Sequence, residues 1–199
     1  MGAWYQVQLD EFLEVRVGSI IGDLARLAGD RNLPTNRETQ QSWRNTVEEL
    51  RKSSKVWCDD VPNAFGWTLF LEYEVPRRSR RIDAVLIAHD VVILMEFKDG
   101  SARYDRDARW QAEQYALDIR DFHSASRDKR IAPFLVATAS EISLPIPEYS
   151  GCGIVLPLAC VNFAGLTSGV LKAFSELASL AAPPIDAKEW DQSPYRPTP

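Results

Sequence analysis

A chain of 199 residues and 22.5 kDa with 45% hydrophobic residues is long enough for one domain with a sizeable core. Its net charge of −5 and pI near 5.2 exclude a protein whose nucleic-acid affinity comes from an overall basic surface. No apolar run approaches a membrane span and no basic-then-apolar signal opens it, so a soluble cytoplasmic protein with no membrane partner is expected.

Three cysteines, Cys58, Cys152 and Cys160, show no C-x-x-C spacing, which argues against a disulfide framework or a zinc site. Trp4 to Val15 is short and mixed in character. From Val17 to Leu27 the apolar residues Ile20, Ile21, Leu24 and Leu27 recur at helical spacing, and the helix is expected to end near Gly29. A loop follows at Asn32 to Asn36, then a helix from Arg37 to Ser53 with Trp43, Val47 and Leu50 on one stripe. Trp67 to Val75 reads as a strand stopped by Pro76, with Phe70, Glu72 and Glu74 on one face and Leu69, Leu71, Tyr73 and Val75 on the other. Two more strands, Ile82 to Ala88 and Val91 to Phe97, are joined at His89-Asp90.

Tyr104 to Ser124 is predicted to be a helix whose buried stripe runs through Tyr104, Ala108, Tyr115, Ile119 and Phe122, with Gln111 in its middle. Ile131 to Ala139 and Gly153 to Val161 read as further strands, and Leu166 to Leu180 as a last amphipathic helix. The first domain is thus expected to span 1–181. Residues 182–199, rich in proline, read as a linker or tail. The fold class expected is α/β, a mixed central sheet flanked by helices.

Chemistry concentrates where the central strands end. Glu96 and Lys98 share one strand face, with Phe97 pointing away, and Asp83 opens the neighbouring strand. Three ionisable residues in so apolar a setting need pairing or a metal. Asp83 and Glu96 supply hard oxygen ligands suited to Mg²⁺, and Lys98 can hold a water or a developing oxyanion. The cluster Arg77, Arg78, Arg80 and Arg81 just before Asp83 could contact a nucleic-acid backbone, or simply cover a solvated hairpin.

Arg-Ile-Asp83 and Glu96-Phe97-Lys98, preceded by LEYEVP and followed by a helix carrying WQAEQY, resemble the half-motifs of the PD-(D/E)XK nuclease superfamily. The run from about Trp43 to Phe122, about two fifths of the chain, is similar to the RecB-like nuclease domain that precedes a helicase in some bacterial nuclease-helicases. That resemblance implies a restriction-endonuclease-like αβββαβ core. It implies Mg²⁺, or Mn²⁺ as a substitute, held by Asp83, Glu96 and the backbone carbonyl of Phe97. Lys98 would position the nucleophile, and Gln111, four residues before Tyr115, would orient Lys98 or the water. A further glutamate could complete the site: Glu74 is the first choice, with Glu72 and Glu49 as alternatives. The implied substrate is DNA, with RNA not excluded, and the implied partner is a helicase domain or a separate protein in nucleic-acid processing or antiviral defence. The proline-containing tail would then be a spacer towards such a motor. The acidic pI supports a second expectation, a catalytically weak binding or scaffolding module of the same fold.

Overall fold

The computed structural model describes residues 2–75 and 80–196. A six-stranded sheet in the order β1-β2-β3-β4-β5-β6 is formed by Tyr5–Gln8, Thr68–Val75, Arg80–Ala88, Val91–Lys98, Arg130–Ala137 and Ala159–Val161. The first three pairings are antiparallel and the last two parallel, so the sheet is mixed, as expected. His89 takes the positive φ of 59° that a tight two-residue hairpin between β3 and β4 demands.

Helices cover both faces. On one side lie α1 (Leu9–Glu14), α2 (Val17–Asp30), α3 (Arg37–Asp60) and α5 (Phe163–Leu177), whose apolar stripes meet Leu69, Leu71, Leu86, Ile93 and Phe134 of the sheet. On the other lie α4 (Arg106–Phe122) and the short α6 (Ala187–Asp191), packed on Phe70, Val85, Ile87 and Leu94. Asn36 starts α3 by accepting the Thr39 N–H, and Asn162 starts α5 by accepting that of Gly165. Gly169 brings α5 close to the sheet, since a Cβ there would sit 2.7 Å from the Phe134 ring. Among the described residues no helix is long and apolar enough to cross a membrane.

Several elements differ from expectation. The opening stretch forms β1 and α1, and α3 runs on past Ser53 to Asp60. Of the strand expected over Gly153 to Val161 only Ala159–Val161 forms, with an isolated bridge between Ile131 and Val155, because Pro157 cannot donate to a ladder.

Residues 182–196 are not a free linker. Trp190 is buried against Phe70 and Tyr73, and Asp191 accepts the Ala3 N–H. Tyr195 bridges His123, and the Arg196 N–H reaches the Phe122 carbonyl. A single large aromatic without helical periodicity is enough to dock this segment, because it fills a ready-made gap between β2 and α4. Pro197, Thr198 and Pro199 lie outside the described residues.

The alternation along β2 also departs from expectation. Leu69 and Leu71 pack on the α3 side, but Phe70, Tyr73 and Val75 all pack on the α4 side. Glu72 is the cause: its φ of 52° puts a left-handed residue inside a strand and reverses the facing of everything after it.

Candidate active site

The β2–β3 ladder pairs Leu71 with Ala84 and Tyr73 with Ile82 but omits the rung between, Glu72 opposite Asp83. Like charges directly opposite one another repel, and here Glu72 leaves regular strand geometry at that rung. The β3–β4 ladder stops one residue earlier on β4, at Ala84 and Met95, so the strands part just before Asp83 and Glu96. The Phe97 N–H left over by this parting donates to Asp83 Oδ2 at 2.7 Å. A side-chain carboxylate thus replaces a backbone acceptor, and the gap holds charge instead of a hydrogen-bond ladder.

Glu96 and Lys98 point to the α4 side together, as their spacing predicts, while Phe97 packs on Phe163 across the sheet. Lys98 Nζ donates to Glu96 Oε1 at 2.8 Å and to Gln111 Oε1 at 3.1 Å. Gln111 Nε2 donates to Glu96 Oε1 and to the Tyr115 hydroxyl, both at 2.8 Å. Gln111 therefore has its partners, on the helix stripe where its apolar neighbours place it. Glu96 Oε2 is buried, and among the described residues it has no side-chain hydrogen-bond partner.

Burial dominates the electrostatics. Asp83 is held well above the usual carboxylate range by desolvation first, then by the charges of Glu96 and Glu72, against the pull of the Phe97 N–H and Lys98. Glu96 is likewise raised by burial, which the ammonium of Lys98 opposes and Glu72 reinforces; the Asp83 backbone N–H adds a weaker pull. Tyr115 is pushed up to about 12, mainly by burial and then by Glu96. A pair of close buried carboxylates is poised to accept positive charge, whether protons or a cation.

A cavity of about 390 Å³ opens beside this cluster on the α3 side. Glu72, Arg81, Asp83 and Phe97 line it from the sheet, and Thr39, Ser42, Trp43 and Thr46 from the first half of α3. Glu72 Oε1 accepts the Trp43 indole N–H at 2.8 Å and its Oε2 the Arg81 Nε at 2.5 Å. Arg81 also lies over the Trp4 ring, 4.4 Å from its centroid.

Asp83, Glu96, Lys98 and Gln111 are therefore brought together, and the Phe97 backbone lies between them. Glu74 is not with them. After the reversal at Glu72 it points to β1 and α2, where it accepts the Trp4 indole N–H and pairs with Arg31, each at 2.9 Å. Glu49 pairs with Lys52 on the outer surface of α3, beyond the cavity. Glu72 is the additional acid that reaches the site. Its distinguishing signal, a position across the ladder from Asp83, exists only once the register is known. Of the arginine cluster, Arg77 and Arg78 lie outside the described residues, Arg80 is exposed, and Arg81 is engaged by Glu72 and Trp4.

Among the described residues no group of three or more His, Cys, Asp or Glu side chains is arranged to hold a metal ion. The pair Asp83 and Glu96, with a buried oxygen on Glu96 that lacks a side-chain partner, still suits an ion that needs only one or two carboxylates and fills its remaining positions with water and phosphate oxygens. No protein-family model, no curated protein and no solved structure matches the chain.

Proposed function

We propose that this chain is a Mg²⁺-dependent nuclease domain of the PD-(D/E)XK type, hydrolysing phosphodiester bonds in DNA. The observation that carries the reading is the hydrogen-bonded set Glu96, Lys98 and Gln111, drawn from β4 and α4, beside a carboxylate of β3 at the point where the strands part. Asp83, Glu96 and the Phe97 carbonyl would hold the metal, with Mn²⁺ as a substitute. When bound, the metal would supply Lewis acidity and a water of lowered pKa.

The chain's own residues do the rest. Lys98 carries its positive charge against Glu96 and could hold a water or a phosphoryl oxygen. Gln111 fixes both Glu96 and Lys98, and Tyr115 fixes Gln111, so the ammonium is already oriented before substrate arrives. The partial enclosure of Glu96 strengthens each of these interactions.

A second reading, a catalytically weak module of the same fold, is favoured by the pI near 5.2 and by the occupation of Arg81 with Glu72. Working beside a helicase domain or another DNA-binding partner would supply the phosphate affinity an acidic chain lacks. The test is incubation with plasmid, linear duplex, single-stranded DNA and RNA in Mg²⁺, Mn²⁺ or EDTA. Cleavage that needs the metal and is lost in Lys98→Ala supports the nuclease. Metal-independent cleavage overturns the Mg²⁺ reading, and no cleavage by the chain with or without a partner favours the module.

A further inference from the structure

The end of the sheet farthest from Lys98 is hollow. A cavity of about 930 Å³, near the upper bound of ligand sites, opens there between the C-terminal ends of α3 and α5 and the β3–β4 hairpin. Lys98 and that hairpin lie at opposite ends of β4, roughly 23 Å apart at the rise of a strand, so an occupant of the cavity leaves the candidate active site open. Trp67, Phe174, Ile87, Leu171 and Val61 give it an apolar lining. Its outer wall, which carries Leu180 and Ile185, is pinned to the hairpin. Asp90 accepts the Ser179 N–H at 3.1 Å, His89 Nε2 donates to the Ala182 carbonyl at 2.9 Å, and the Ile185 N–H reaches the His89 carbonyl at 2.8 Å. The cavity is therefore formed before anything enters it, which lowers the cost of binding.

The rim identifies the occupant. Leu180 lines the cavity yet is 72% exposed, and Phe65, next to the lining Gly66, is 47% exposed, so apolar surface runs out of the cavity on to its edge. A small molecule would leave that edge in water, whereas a protein segment covers it. The free charge at the edge is negative. α3 ends in Asp59 and Asp60, both exposed, and neither α3 nor α5 has a basic residue in its last turn. Carboxylates at a helix C-terminus oppose its dipole, and among the described residues Asp60 has no ion pair to offset this. Lys172 also lines the cavity but is taken up by Glu148 at 2.9 Å and Glu176 at 3.7 Å.

We propose that this cavity docks a segment of a partner protein, which inserts an apolar side chain and sets a lysine or arginine beside Asp60 at the C-terminal end of α3. The apolar anchor supplies affinity and the basic neighbour selects the partner, since a like charge set against Asp60 is penalised. The docking surface does not rest on the nuclease reading, because none of its residues belongs to the cluster around Asp83.

Fluorescence anisotropy of labelled peptides with the full chain tests it, using three peptides of equal length: one of leucine and lysine, one of leucine and glutamate, and one of serine and lysine. The leucine–lysine peptide should bind roughly tenfold or more tightly than the serine–lysine peptide, which lacks the anchor, and about fivefold more tightly than the leucine–glutamate peptide. Asp60→Lys should reverse the preference between the two leucine peptides. Glu113→Lys, the same charge change on the exposed face of α4, should leave that preference as it is. Ser175→Trp, which fills the cavity from α5, should weaken both leucine peptides with an unchanged melting temperature. Equal binding of all three peptides, no binding, or a preference that survives both Asp60→Lys and Ser175→Trp would overturn the docking site. So would a chain that sediments as a dimer and becomes monomeric in Ser175→Trp, since the surface would then belong to a second copy. The nuclease reading is decided by its own cleavage assay, and a chain that binds none of the peptides but cuts DNA keeps the active site and loses the docking surface.

Discussion

Two buried polar clusters flank β2, and they are built on opposite terms. Around His123 every group is satisfied and neutral: its Nε2 faces the Trp190 carbonyl at 2.9 Å, its Nδ1 the Ser126 hydroxyl at 2.8 Å, and the Trp190 indole N–H donates to that same hydroxyl at 2.8 Å. Around Asp83 the cluster is built of ionisable groups, its carboxylates are pushed up by burial and by neighbouring carboxylates, and among the described residues one oxygen of Glu96 has no side-chain partner. A fully satisfied network locks a core together. An incompletely satisfied one costs stability and is kept where it can act on something else. Burial of polar groups is common to both clusters; the state of their hydrogen bonds is what differs.

The widest separation between the two clusters should come from Lys98→Ala. Hydrolysis should fall by roughly a hundred- to a thousandfold, since one oriented donor at a developing charge is removed. Melting should change little, because Glu96 can take up a proton in its place. Cleavage at the wild-type rate would remove Lys98 from the chemistry.

Trp190→Ala should show the reverse pattern. The ring is fully buried against Phe70, Tyr73 and His123, so its loss should cost on the order of 3–5 kcal/mol by chemical denaturation and release residues 182–196 to proteolysis. A denaturation midpoint close to that of wild type would show that the segment is only laid on the surface.

Acid should act on the clasp through His123, which burial lowers to about 4. The unfolded chain takes up a proton near pH 6.5 while the folded chain does not until about 4. Stability from this group is therefore fully present above pH 6.5 and is lost as pH falls through that window, by roughly 3 kcal/mol. His123→Gln should flatten the slope, and an unaltered pH profile in that variant would locate the acid sensitivity elsewhere.

The smallest contrast separates two neighbouring glutamates. Glu74→Gln should alter stability by no more than about 1 kcal/mol, since its partner Arg31 is substantially exposed, and should leave cleavage alone. Glu72→Gln should change the Mg²⁺-induced rise in melting temperature, because its charge acts on both Asp83 and Glu96. Identical metal responses in the two variants would take Glu72 out of the site.

Periodicity alone was sufficient for much of this. The stripes of α2, α3, α4 and α5, the strands β2 to β5, the shared face of Glu96 and Lys98, and the placement of Gln111 over them follow from the 3.6- and 2-residue repeats, which are local properties of the backbone. What periodicity could not supply was Glu72, Arg81 and the docked tail. A left-handed residue inside β2 breaks the alternation on which the choice of Glu74 rested, and it stands across the ladder from another carboxylate one strand away. Arg81 reads as part of a basic run until Trp4 of β1 and Trp43 of α3 close around the same cluster. Trp190 reads as one aromatic among prolines until β2 and α4 shape the gap it fills. Local repeats decide which segments are helix or strand; the partner of a charge or of a lone ring lies far away in sequence, and only the folded chain selects it.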